Sequence, residues 1–187
     1  MSGTIDRFIP VPDVGERHDT LIRTPAPFAF DVAEHFPLQS VPVVRAIFWL
    51  RAKLLGARHV PLRKGLVEEM LGIGWGKLAW TPGRELVMGA VTEPWVPEVR
   101  FQALPPGDFA SFREPGLVKI VWTLEAEPLG SELTRFATET RVLATDDAAR
   151  RKFRAYWRKF GIGIVLIRWL GVPAIRREAE RRYRAAR

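Results

Sequence analysis

The sequence predicts an α+β fold in which a curved antiparallel sheet of about six or seven strands grips a long C-terminal helix, with two short helices after the first strand. Three observations predict it. Pro and Gly turn formers divide residues 74–144 into short strand-like runs, a spacing typical of hairpins and a meander. Two short helical patterns precede them. An apolar stripe near the C-terminus then runs through about five helical turns, enough to cover one sheet face.

The first elements are short. The polar residues 1–17 contain several turn formers and predict an extended arm. A strand is expected over 18–24, because prolines follow at 25 and 27. Helices are expected over 28–36 and 41–55 from their apolar spacing, and 65–71 could form another short helix.

The strands of the sheet come next, and the last two alternate clearly. In them, apolar residues and threonines share one face, while Arg and Glu share much of the other. We therefore expect one covered face and one face in water. Strands are predicted over residues 78–81, 85–92, 98–103, 109–113, 118–127 and 132–144.

The C-terminal helix has a strong start at Thr145–Asp146–Asp147, a capping residue followed by acids. Gly161 and Gly163 predict a bend or a close approach, and Gly171 with Pro173 predicts the end of this helix and the start of another. We expect an arm over 1–16, one domain over 17–171 and a basic helical extension over 172–187. The stripe consists of Ala149, Phe153, Trp157, Phe160, Ile164 and Ile167.

The positive charge is concentrated at the C-terminal end. Residues 146–187 hold 13 basic and 4 acidic residues and have a net charge of +9. The whole chain has a net charge of +8, so the other residues together have a net charge of −1. A basic tail suggests nucleic acid or a membrane surface, but a solvated helix face is favoured because no second basic patch accompanies it. We expect no specific nucleic-acid binding and at most a weak contact of residues 172–187 with anionic membranes.

Several chemistries lack the residues they need. The chain has no cysteine, which excludes disulfides, thiolate catalysis and Cys-based metal sites. His18, His35 and His59 do not have the spacing of a helical metal site, so neither a metal nor a cofactor is predicted. GIGWG fits no phosphate-binding loop, and there is no G-x-S-x-G hydrolase motif. With no signal-peptide pattern or spanning apolar run, we expect a cytoplasmic protein.

Several strings carry a family resemblance: GERHDTLIRTPA, GRELVMGAVTEPW, PGLVKIVWTLEAEPLG, TRFATETRVLATDDAARRKFRAYW and IVLIRWL. They resemble the START-like (SRPBCC) superfamily of helix-grip proteins, in particular a bacterial branch without an assigned activity. The resemblance extends over roughly residues 16–180. It implies a hydrophobic cavity between sheet and helix but transfers no catalytic residue. Some members of the superfamily bind lipids or sterols and others cyclise polyketides, and fold alone does not choose between them.

We expect an apolar pocket with a few polar groups between the sheet and the C-terminal helix. Trp122 and Trp157 are predicted to face each other across it. Glu139 and Arg141 could form an ionic pair inside the pocket, but a solvated cross-strand network is favoured. The candidate lining residues are Trp80, Met88, Phe112, Trp122, Phe136, Thr138, Thr140, Tyr156, Trp157 and Phe160.

Three functions remain open at this point. The first is binding of a small apolar or amphipathic molecule without catalysis. The second is a cyclase-like or dehydratase-like enzyme that uses the Tyr156 hydroxyl with cavity threonines or an acid. The third is a membrane-surface protein that docks through its basic C-terminus. Binding leads, because the strand alternation reveals no clear inward-facing His, Asp or Glu.

Overall fold

A computed structural model describes residues 3–56 and 64–187. The order of elements agrees with the sequence prediction except over residues 93–117, and short 3-10 turns lie at Thr4–Arg7 and Leu38–Ser40. The helices and strands are β1 (Val14–Ile22), α1 (Ala26–Glu34), α2 (Pro42–Leu55), α3 (Leu66–Gly72), β2 (Gly76–Thr81), β3 (Glu85–Thr92), β4 (Phe101–Gln102), α4 (Pro106–Phe109), β5 (Val118–Gly130), β6 (Leu133–Ala144) and α5 (Asp147–Ala185).

The predicted fold class is confirmed: six antiparallel strands form one sheet, and the long C-terminal helix packs against it. The strand order is β1-β6-β5-β3-β2, and the two-residue strand β4 pairs with β3. The sheet face that carries Met88, Trp122 and Phe136 packs against α1 and the second half of α5, which supplies Val172 and Ile175. We call this side the concave face.

The opposite, convex face differs from the prediction, which left it in water. The chain before β1 is not an extended arm: it forms a 3-10 turn and buries Ile5, Phe8 and Ile9 against this face. They pack with Val121 of β5 and Phe109 of α4 in a second apolar cluster. The strand alternation already placed Val121 on this face, but the residues that cover it are distant in sequence.

Two predicted strands after β3 are also corrected. Of the strand predicted over 98–103, the two residues of β4 are in a strand, and residues 109–113 do not form one. Phe109 instead ends the four-residue helix α4 and is fully buried. Pro105 and Pro106 start this turn, because the fixed φ of proline suits the beginning of a helix.

The break predicted at Gly171 and Pro173 is wrong, since α5 continues through both to Ala185. Proline costs the helix a backbone hydrogen bond, but the residues around it are buried against the core, which outweighs that loss. Gly171 itself permits a close approach, because a Cβ there would lie 2.8 Å from Cδ1 of Leu38. The close approach predicted at Gly163 is present, with Cγ2 of Ile47 in α2 3.1 Å from the position of a Cβ. The domain limits at 16/17 and 171/172 stay a prediction.

Candidate functional site

A row of four side chains crosses the concave face. The register pairs Glu16 of β1 with Thr140 of β6, Thr140 with Trp122 of β5, and Trp122 with Met88 of β3. Residues directly opposite each other in antiparallel strands project to the same face. The row therefore places an acid, a hydroxyl, an indole and a thioether side by side.

The indole of Trp122 is held in place from within the sheet. Its Nε1 donates to Oγ1 of Thr138 at 2.8 Å, and the Thr138 hydroxyl donates to the backbone oxygen of Thr123 at 2.8 Å. Thr138 is buried, and its one hydroxyl proton is already used. Thr138 thus orients the Trp122 ring and has no proton left for a ligand.

Arg168 of α5 reaches the same row from the helix side. Its Nη2 donates to Oγ1 of Thr140, whereas its Nη1 is buried and has no hydrogen-bond partner in the described part of the chain. Burial lowers the pKa of Arg168 below its usual value, and the carboxylates of Glu16 and Glu139 act in the opposite direction. An arginine stays charged at neutral pH, so this is a partly buried cation with an open donor.

The N-terminal half of α5 supplies an aromatic group. The rings of Tyr156 and Phe160 are 5.0 Å apart, and those of Phe153 and Trp157 are 5.8 Å apart. The Tyr156 hydroxyl accepts from Nε of Arg51 in α2 at 2.9 Å. Tyr156 is buried, while Trp157 and Phe160 stay partly exposed.

We call the contact between the concave face of β1, β5 and β6 and residues 156–168 of α5 the seam. Its two ends belong to different apolar clusters, which Ile120 of β5 joins by packing against both. Arg168 and Thr140 lie between them. Ile120, Trp157, Phe160 and Ile164 of the seam are only partly buried.

The predicted lining residues divide into three groups. Met88, Trp122, Phe136, Thr138 and Thr140 lie together on the concave face, and Tyr156, Trp157 and Phe160 lie together on α5. Two others lie apart from both groups. Trp80 is 51% exposed on the edge strand β2, with Nζ of Lys77 4.1 Å from its ring centre, and Phe112 follows α4.

Trp122 and Trp157 are found in different surroundings. Trp122 belongs to the cluster around α1, whereas Trp157 packs with Val142 and Phe153 near the start of α5. A Cβ at residue 161 would lie 2.8 Å from the Trp157 ring, so this indole lies along its own helix, against the next turn toward the C-terminus. The two indoles therefore contribute to opposite ends of the seam.

Local sequence patterns did not indicate Arg168, Glu16 and His18 as members of the site. His18 pairs with Thr138 in the register, and its ring lies 5.6 Å from that of Trp169. A predicted strand that began at Val14, four residues earlier, would have included Glu16 and shown that Glu16 and His18 share one face of β1. Arg168 follows Ile164 by four residues, so a cation on an otherwise apolar stripe was the available signal.

The ionic residues of β6 form the favoured cross-strand network, on the convex face and away from the seam. Nε of Arg141 contacts Glu139 at 2.6 Å, and Nη1 of Arg17 contacts the same carboxylate at 3.0 Å. Arg141 also pairs with Asp6 and donates to the backbone oxygen of Ile9 at 2.8 Å. The cross-strand network is therefore present, but it is largely buried and not solvated as expected.

Two open depressions of about 170 and 210 Å³ lie elsewhere, beside α3 and at the end of β3, and no predicted lining residue borders them. In the described ranges, no group of three His, Asp or Glu side chains could hold a metal ion. The remaining histidine, His59, lies outside those ranges. None of the described helices is long and apolar enough to cross a membrane.

The sequence matches no protein-family model, and no curated protein matches it. Solved structures of low similarity include the aromatase/cyclase Zhui of Streptomyces sp. R1128, at 14% identity over 92% of this chain and 97% of that one, with a TM-score of 0.31. Protein CV1439 of Chromobacterium violaceum has 11% identity over 89% and 97%, with a TM-score of 0.39. A conserved protein of Geobacillus kaustophilus has 8% identity over 90% and 96%, with a TM-score of 0.36. With TM-scores this low, these likenesses carry no argument for the chain's function.

Proposed function

We propose that this protein binds a small amphipathic molecule in the seam, with an anionic group of the ligand on Arg168 and its apolar part among the aromatic side chains of α5. The observation that carries the proposal is the buried Nη1 of Arg168, which has no acceptor among the described residues. Binding pockets combine apolar walls with a few polar groups that orient the ligand. The seam has this composition.

A carboxylate is the ligand group that best suits this position. A buried charged donor without a partner costs stability, and an anionic acceptor would form a strong, charge-assisted hydrogen bond with it. The hydroxyl of Thr140 accepts from Nη2 of Arg168, and its own proton has no acceptor among the described residues. Arg168 and Thr140 together therefore offer two donors to a carboxylate.

The test is a pair of probes that differ only in the head group. Lauric acid and lauryl alcohol are titrated into the protein by calorimetry, and the acid is expected to bind at least tenfold more tightly, since hydrogen bonds to charged groups contribute about 1.5–3 kcal/mol. Arg168→Met should remove this preference. Arg177→Met is the matched control, because Arg177 is an exposed arginine of the same helix.

Two results would contradict the proposal. One is equal binding of acid and alcohol, which would remove the role of Arg168 but keep an apolar site. The other is the absence of binding of either probe, accompanied by no retained small molecule in native mass spectra of protein from its own cells. A cytoplasmic location stays a prediction.

A second candidate function is a cyclase-like or dehydratase-like enzyme, and Glu16 is the observation that favours it. Its register position beside Thr140 supplies the inward acid that the sequence analysis did not find. A carboxylate within reach of a bound ligand could act as a general base. Incubating the molecule retained from cells with the protein and with Glu16→Gln, and following loss of water by mass spectrometry, separates this activity from simple binding.

A further inference from the structure

Helices α2 and α5 lie antiparallel and present a common outer surface. Ile47 of α2 contacts the position of Gly163, and Arg51, one turn later in α2, reaches Tyr156, which is earlier in α5. The chain before α2 continues this direction, because Leu38 contacts Gly171. Residues 47–51 of α2 and 156–163 of α5 are therefore neighbours.

The outer surface of this pair is unusually apolar. Seven of the fourteen large apolar side chains exposed in the described ranges lie on these two helices. In α5 they recur at steps of four and three residues, and in α2 Val43, Leu50 and Leu54 are seven and four residues apart, which brings each set onto one helix face; Trp49 lies beside Leu50 on the exposed side of α2. We call this surface the α2–α5 face, and its apolar members are Val43, Trp49, Leu50, Leu54, Ile162, Leu166 and Trp169.

The two helices that form the α2–α5 face carry no acidic residue along α2 or along most of α5. No Asp or Glu occurs in residues 35–67 or in residues 148–177, the two stretches that contain α2 and most of α5. Apart from Arg150, which pairs with Asp13 and Asp147, and the few near the C-terminus discussed below, the cations on these helices form no ion pair with a described residue. The cations beside the face are Arg45, Lys53, Arg151, Arg154, Arg158 and Lys159.

We propose that the α2–α5 face docks onto an anionic lipid bilayer. Exposed apolar side chains flanked by Lys and Arg are the composition of an interfacial helix, whose apolar side chains enter the lipid boundary while the cations meet anionic headgroups. Tryptophan favours the membrane interface, and two of the seven apolar residues are tryptophans. This inference does not depend on the proposed small-molecule site.

This contact differs in place from the one predicted at residues 172–187. Most cations of that segment already have partners: Arg176 pairs with Glu180, Arg181 and Arg182 pair with Glu178, and Arg187 pairs with Glu132. Paired charges attract an anionic surface weakly. The free cations and the apolar side chains coincide instead on α2 and the middle of α5.

The apolar content also distinguishes a bilayer from nucleic acid. A phosphate backbone would engage the cations but would leave Trp49, Leu54 and Ile162 in water. A bilayer accepts both parts of the face at once. Salt should weaken the contact without abolishing it, because the apolar contribution is not screened.

The experiment is co-sedimentation of the full chain with phosphatidylcholine vesicles, with and without phosphatidylserine. Binding is expected only with phosphatidylserine. Trp49→Ser should weaken it about tenfold. Trp80→Ser is a matched control, since both tryptophans are 51% exposed and only Trp49 belongs to the face. Leu166→Ser tests the second helix, and circular dichroism verifies that each variant is folded.

Two substitutions that each remove one positive charge determine which part of the chain contacts the membrane. Lys159→Gln should weaken binding about fivefold, which corresponds to one cation at an anionic surface, whereas Arg184→Gln in the C-terminal segment should have little effect. The reverse result would move the contact to residues 172–187 and overturn the assignment. Absence of vesicle binding, or equal loss in both tryptophan variants, would also overturn it. A dimer that Trp49→Ser dissociates, without vesicle binding, would assign the face to a second copy of the chain.

Discussion

The two faces of the sheet both bury charged side chains, but they satisfy them differently. On the convex face, the guanidinium of Arg141 contacts Glu139, Asp6 and the backbone oxygen of Ile9. The ammonium of Lys119 donates to the backbone oxygens of Phe109 and Ala110 at 3.3 and 2.9 Å.

On the concave face, Arg168 has a partner for Nη2 only, so its guanidinium is left half satisfied. The difference teaches that burial of a charge does not by itself mark a functional group. The convex cations complete a structural cover, and the concave cation retains an open donor.

The largest expected effect comes from removing the cover of the concave face. A chain ended after Thr145 loses α5 and its buried residues, including Phe153, Tyr156, Val172 and Ile175. Full burial of one such side chain contributes about 1.5–3 kcal/mol, and a whole domain is stable by only about 5–15 kcal/mol. We expect no cooperative unfolding transition in urea. A truncated chain that still unfolds cooperatively would contradict the role of α5 as a core element.

On the convex face, Arg141→Met should destabilise the fold by about 2–4 kcal/mol. The substitution leaves Glu139 and Asp6 with fewer partners in a partly buried network, and removing one member of such a group costs more than removing a solvated charge. Urea denaturation measures the change. Arg135→Met, which breaks an exposed pair with Glu127, is the control and should change stability by less than about 1 kcal/mol.

On the concave face, Arg168→Met should not destabilise the fold as Arg141→Met does. The free energy of unfolding is expected to be unchanged or raised by about 1 kcal/mol. Methionine fills a similar volume and removes a buried donor that has no partner, so a desolvation cost disappears with it. The same denaturation series measures it. A loss of stability as large as that of Arg141→Met would make the two faces equivalent and Arg168 structural.

The last expected effect is a pH dependence from Lys119. Burial, followed by the nearby charge of Arg113, lowers the pKa of Lys119 to about 8 from the ordinary 10.5. The unfolded chain therefore binds more protons than the folded one between these values, and the free energy of unfolding should rise as pH rises through that window. Subtracting the pH profile of Lys119→Met isolates this contribution. A difference profile that is flat or falls with pH would contradict it.

Local patterns predicted the strands that end in tight turns and alternate along their length. β3, β5 and β6 are found within three residues of their expected limits. The start of α5 is found within one residue of its expected position, with Asp146 in place of Thr145 as the cap, its carboxylate accepting from the backbone nitrogen of Ala149 at 2.6 Å. Alternation and capping depend on neighbours in sequence. The prediction failed where a long-range contact overrides a local preference, as at Pro173 inside α5.

The same limit applies to the candidate site. The strand alternation assigned Trp122, Thr138 and Thr140 to the face that the helices cover, since side-chain direction in a strand has a period of two. It did not reveal that Thr138 is used by Trp122, which requires the pairing of β5 with β6. Nor did it identify Arg168, whose significance depends on which donors remain open after α5 has packed.

The sequence by itself determined the order of elements, the apolar face of the last two strands and the concentration of cations near α5, because periodicity, turn residues and composition are local properties. The tertiary structure alone decided that residues 3–9 cover the convex face, that α2 and α5 share one outer surface, and that Arg168 meets Thr140. Each of these joins segments far apart in sequence, and the packing of the whole chain selects such contacts.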